Sequence, residues 1–116
     1  MKKINIIKDS RDFTRIIKNN KAYKYKDYII YLERTNDSFY KFGISVGKKI
    51  GNAVTRNKIK RQLKSIIDKK DYQKGFNCII IVGKGILEKE YKKRENNLYE
   101  AFSNLNIIKE NKYEEK

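Results

Sequence analysis

Residues 76–82 read Phe-Asn-Cys-Ile-Ile-Ile-Val, seven positions without a charge in a chain of which 37% is charged. A short apolar run closed by a glycine, here Gly83, reads as a fully buried strand. A buried strand needs cover, and that demand shapes the rest of the fold. Cys78, the single cysteine, lies inside the run and reads as a small buried hydrophobe. No disulfide framework or zinc site can be built from it.

Two earlier segments alternate with period two. Tyr28, Ile30 and Leu32 fall on one strand face, with Ile29, Tyr31 and Glu33 on the other. Tyr40, Phe42, Ile44 and Val46 share a face of the next strand. Turn chemistry at residues 35–38 predicts that these two strands form an antiparallel hairpin. Residues 22–25 add a short strand before it. Helical spacing appears three times. Phe13, Ile16 and Ile17 follow a cap at Asp9 or Ser10. Ile59, Leu63, Ile66 and Ile67 follow a cap at Asn52. Tyr91, Leu98, Phe102 and Leu105 form the inner face of a helix over residues 87–105. The order is α-β-β-β-α-β-α. It predicts an α+β sandwich, with a small, mostly antiparallel sheet of about four strands packed by three helices. The size suits one domain over residues 1–116, with residues 107–116 expected to fray.

Charge is laid out unevenly. Lys and Arg number 29 against 14 Asp and Glu, a net +15, which is most naturally tolerated beside a polyanion. Between Asp37 and Asp68 there is no acidic residue, while Lys41, Lys48, Lys49, Arg56, Lys58, Lys60, Arg61 and Lys64 all fall there. Gly47 and Gly51 bracket a loop that delivers Lys48 and Lys49 to a helix N-terminus, where backbone N–H groups favour phosphate. On that helix Asn57, Lys60, Arg61 and Lys64 lie opposite the apolar stripe, and Arg56 lies nearer the stripe's edge. A merely solvated helix face mixes signs for i,i+4 pairing; this one does not. The candidate phosphate-binding set is Lys48, Lys49, Asn52, Arg56, Asn57, Lys58, Lys60, Arg61 and Lys64.

Other classes fit poorly. There is no histidine, the carboxylates are scattered, and the glycine loop lacks the Gly-Lys-Ser/Thr ending of a nucleotide-binding loop. The chain alone is therefore not expected to be catalytic. No run approaches the length of a membrane span, and no secretory signal is visible, so a cytoplasmic location is expected. A peripheral membrane binder would carry large exposed apolar residues on a basic helix, and the stripe over 59–67 has core width and no aromatic.

The stretch GISVGKKIGNAVTRNKIKRQLK, residues 43–64, resembles the signature of the bacterial ribonuclease P protein component. Lys48, Lys49, Gly51, Ala53 and Val54 form its lead, and Arg56, Asn57, Lys60 and Arg61 its core. The similarity extends through RDFTRII at 11–17, YIIYLER at 28–34 and FNCIIIVGKG at 76–85, covering roughly residues 8–105. The resemblance implies an RNA-binding subunit of an enzyme that removes the 5′ leader of precursor tRNA, with metal-dependent hydrolysis carried by the RNA subunit. It implies that the Arg56–Arg61 region, with Lys48 and Lys49, lies against that RNA. It implies a cleft for the single-stranded leader between the first helix and the sheet, at Phe13, Ile17 and Tyr31. Bases stack on aromatic rings there without strong sequence preference; on spacing alone, Phe13 and Ile17 read as core. Magnesium is expected in the holoenzyme, mainly through RNA, with no cofactor on the protein alone and no protein partner required. A left-handed βαβ crossover is also implied, against the general rule. Three positions depart from the pattern: Ile17 stands where the family usually has an aromatic, Gly83 where it often has a basic residue, and Lys58 where it often has Arg. The alternative is a ribosomal-type protein that binds structured RNA without a role in tRNA processing.

Overall fold

The computed structural model describes residues 1–109. Helix α1 spans Ser10–Asn19, and the Asp9 carboxylate caps it by accepting from the Arg11 N–H at 2.8 Å. Strands β1 (Ala22–Tyr25) and β2 (Tyr28–Arg34) follow, then β3 (Tyr40–Ser45), helix α2 (Ala53–Asp68), strand β4 (Phe76–Val82) and helix α3 (Tyr91–Asn104). Short 3-10 turns at Lys48–Ile50 and Lys84–Glu88 precede α2 and α3. The last helix therefore starts later than its apolar spacing predicts. Residues 84–88 form a tighter turn, and Glu90 is extended before the first helical residue.

The sheet order is β1-β2-β4-β3. β1 and β2 form an antiparallel hairpin around Lys26 and Asp27, with Lys26 in the left-handed region at φ 52°. The predicted hairpin between β2 and β3 does not form. β4 inserts between them, antiparallel to β2 and parallel to β3. The charge-free run takes the interior slot because it alone can be buried on both faces. A strand–helix–strand crossover, β3-α2-β4, links the parallel pair.

The pleat divides the sheet into two faces. On one, Tyr28, Ile30, Phe42, Cys78, Ile80 and Val82 pack against Ile59, Leu63, Ile66 and Ile67 of α2 and Leu98, Ala101 and Phe102 of α3. Phe42 anchors an aromatic cluster there, 4.9 Å from the Tyr72 ring and 5.5 Å from Phe102. On the other face, Ile79 packs with Ile16 of α1 and with Ile7. Cys78 is fully buried and free, as its setting in the sequence indicates.

Polar links tie α2 to α3. The Arg94 guanidinium donates to the Ile86 carbonyl and to Gln62 Oε1. Glu95 accepts from Lys69 at 2.7 Å and Lys92 at 3.1 Å. The β3 edge is partly covered by the chain's own start: Ile6 bridges Phe42, and the Ile7 N–H donates to the Phe42 carbonyl at 2.9 Å. The frayed tail is corrected over its first residues. Ile107 is fully buried, and its carbonyl accepts from the Gln73 N–H at 2.8 Å, while the Lys109 N–H donates to Asp71 O. The remainder of that tail lies outside the described residues.

Candidate nucleic-acid interface

The predicted phosphate-binding residues fall on the Lys48–Ile50 turn and on the helix that follows it, α2. Ile50 is buried and holds the 3-10 turn to the core, which leaves Lys48 and Lys49 pointing outward. Asn52 Oδ1 accepts from the Thr55 N–H at 2.9 Å, so its oxygen is committed to starting α2. Beyond it Asn57, Lys58, Arg61 and Lys64 are exposed, and Arg56 and Lys60 are half-buried. Lys60 and Lys64 overhang the β3 edge, lining a small hollow with Ile7, Phe42 and Ile44. The pattern of exposure follows directly from the apolar stripe, which turns the opposite arc to solvent.

The electrostatics of this surface differ from those of the rest of α2. Among the described residues, none of Lys48, Lys49, Arg56, Lys58, Lys60, Arg61 and Lys64 takes part in a salt bridge. Lys69, at the other end of the helix, is paired with Glu95. The Arg56 Nε is buried and has no hydrogen-bond partner among the described residues. Seven cations without a counterion among the described residues repel one another, and a polyanion relieves that repulsion.

The second predicted set also comes together. Phe13, Ile17 and Tyr31 are half-buried around Ile7, Ile16 and Ile79, with Ile81 completing the group. They are neither fully core nor free. At one end Arg15 of α1 pairs with Glu33 of β2, and Glu33 also accepts from Asn77 Nδ2 at 2.8 Å, which staples α1 to the sheet. In the sheet row Tyr31–Ile79–Gly43, only the last position lacks a side chain. Sequence reasoning missed Gly43. A lone glycine inside an alternating strand is the signal, since it marks close approach by another group. Ile17 occupies its place as an aliphatic wall. Gly83 backs onto the β1–β2 turn: its N–H donates to the Asp27 carbonyl at 2.6 Å, and a Cβ there would lie 3.2 Å from that oxygen.

A cationic helix face without salt bridges among the described residues, together with a half-buried Phe13–Ile17–Tyr31 cluster on a small α+β sandwich, fits the class of nucleic-acid-binding proteins. The comparisons agree. The model of the Ribonuclease P family matches residues 1–106. The ribonuclease P protein component of Streptococcus pyogenes serotype M12 (strain MGAS2096) is 36% identical over 109 residues, covering 93% of this chain and 92% of that one. That of Mycoplasma capricolum is 43% identical over 94 residues, covering 78% and 86%. The solved RNase P protein of Staphylococcus aureus superposes with a TM-score of 0.80 at 28% identity, covering 90% of this chain and 98% of that one. The fold is shared with the RNase P protein of Thermotoga maritima, with a TM-score of 0.74 and 82% and 92% coverage.

The chain belongs to the ribonuclease P protein family. That membership carries the role of an RNA-binding subunit in tRNA processing, and the ribosomal-type alternative is not favoured. No helix among the described residues is long and apolar enough to cross a membrane.

Proposed function

We propose that this chain docks onto ribonuclease P RNA through the face built from Lys48, Lys49 and the exposed arc of α2, and holds the 5′ leader of precursor tRNA in the cleft between α1 and the sheet. Hydrolysis in this reading belongs to the RNA, in the cytoplasm of a bacterial cell. The observation that carries it is the unpaired charge: seven cations on one face, with no salt bridge among the described residues. Phosphates take the place of the missing counterions, and released cations supply the entropy.

The donor set of this face is lysine, arginine and asparagine, which does not suit magnesium. That ion prefers several oxygen ligands in octahedral array, so the magnesium requirement rests on RNA phosphates. The protein's contribution is to add fixed positive charge where two RNA molecules approach each other. At high magnesium the ion can do this screening alone. At low magnesium the protein becomes decisive.

The test is cleavage of a precursor tRNA by a bacterial ribonuclease P RNA at low magnesium, with and without this protein. Restored cleavage at the mature 5′ end supports the reading. A protein that binds the RNA yet adds no cleavage overturns it.

A further inference from the structure

We infer that Gly43 is a positioning residue of the leader cleft, because its missing side chain lets the Phe13 ring settle with one face down over the β3 backbone and the other turned away from it. The inference rests on the cleft reading above and adds to it a residue that touches neither RNA nor leader.

The geometry is specific. A Cβ on Gly43 would lie 2.6 Å from Cζ of Phe13, and 3.1 and 3.2 Å from its two Cε atoms. The para carbon is nearest and the two meta carbons are almost equidistant. The Cε atoms are only about half an ångström farther off than Cζ, so the ring lies with the Cζ end of one face over Gly43, and its other face is turned away from the β3 backbone. Ring faces carry the stacking surface for a base, and ring edges do not. Neighbours do not provide this space by yielding. Gly43 is itself buried, and the next residue of its row, Ile79, is fully buried against Ile16. Strands lie about 4.8 Å apart, so the backbones of Tyr31 and Gly43, two strands apart, stand roughly 10 Å from each other. Phe13 over β3 and Tyr31 on β2 thus flank the buried Ile79. The depth of one flank is set by glycine.

A methyl group at position 43 closes the socket. The ring must then tilt or lift away from β3, which displaces the face it turns away from the strand. The added methyl group points to the sheet face that α1 covers, toward Phe13, while the Gly43 backbone also borders the hollow beneath Lys60 and Lys64, so binding of the variant to the RNA alone is measured beside the ratio.

The experiment is a double-mutant cycle on the holoenzyme reconstituted with ribonuclease P RNA. The readout is the ratio of affinities for a precursor tRNA with a leader of several nucleotides and for the mature tRNA. Gly43→Ala is expected to lower that ratio at least about fivefold, the low end of one base–aromatic stack. In a Phe13→Leu background, which removes the ring tip, adding Gly43→Ala is expected to change the ratio by less than about twofold. The double variant also accommodates the methyl group, so it folds where the single variant strains. A Gly43→Ala effect that persists undiminished in the Phe13→Leu background overturns the inference, as does equal weakening of precursor and mature tRNA. A Phe13→Ala variant separates the two levels. If it lowers the ratio while Gly43→Ala does not, Gly43 has no positioning role and the cleft stands. If Phe13→Ala leaves the ratio unchanged, the cleft reading falls and this inference falls with it.

Discussion

Single residues on the two surfaces are expected to do different work, and the difference is measurable. Arg61 is exposed on the outer arc of α2 and has no salt-bridge partner among the described residues. Arg61→Ala is expected to weaken binding to ribonuclease P RNA and to reduce the slope of log affinity against log salt by about one. A salt titration of binding checks this, and an unchanged slope would count against a direct phosphate contact. Tyr31 is half-buried on the strand face that α1 covers, packed against the Ile7, Ile16 and Ile79 cluster. Tyr31→Ala is expected to weaken precursor tRNA binding by ~1–3 kcal/mol while sparing mature tRNA. Parallel binding curves for the two tRNAs decide it, and equal loss for both removes the leader role. The exposure of Arg61 and the strand face of Tyr31 were legible because charge sign and strand alternation are written locally. Gly43 was less so. Glycine in a strand announces that something comes close, and which group comes close depends on where α1 lands.

Between elements, the α2–α3 contact is held by a charged cluster whose strength depends on pH. Hydrogen bonds from Lys69 and then Lys92 hold the Glu95 carboxyl below the usual carboxylate range. A carboxyl depressed in the folded state contributes stability above its ordinary pKa, and the contribution is lost as pH falls through the depressed value. Glu95→Gln is therefore expected to lower the melting temperature at neutral pH, with the gap to the native chain closing in acid. Thermal melts across that range test it, and a gap independent of pH would show that the ion pairs contribute nothing. The helices themselves could be read in advance. The stripe Ile59, Leu63, Ile66 and Ile67 and the Asn52 cap stand where spacing puts them. Strand pairing could not be read the same way. β2 and β3 are neighbours in sequence and both alternate, so a hairpin is the local expectation. The actual partner of both is β4, some thirty residues beyond β3, and nothing in a strand's own sequence names a distant partner. The start of α3 was misplaced for a similar reason. Ile86 is apolar and fully buried, yet it belongs to a 3-10 turn whose backbone breaks before Tyr91.

Across the whole molecule, tyrosines join the sheet and helices into one cooperative unit. Tyr28 donates to the Arg94 carbonyl, Tyr72 to that of Ile67 and Tyr99 to that of Ile66. Burial pushes the Tyr99 hydroxyl up to about 12, and burial raises Tyr28 and Tyr72 further. A hydroxyl raised in the fold and ordinary when unfolded contributes stability below its unfolded pKa, and this is lost as pH rises through the raised values. The fold is thus expected to give way in alkali above roughly pH 10. Tyrosinate absorbance and circular dichroism followed together check this. Three of the nine tyrosines are expected to ionise only as helical signal disappears. Full ionisation with the helical signal intact would show that those hydroxyls are not held by the fold.

The interior place of β4 also has a consequence in time. Its residues are made after β1, β2, β3 and α2, yet it fills the slot between β2 and β3. A nascent chain that stops short of Phe76 holds two strands with unmatched edges facing a gap. Unmatched edges recruit other chains. The sheet closes from its middle and late, so the half-made protein is most exposed to wrong partners just before the Phe76–Val82 segment clears the ribosome.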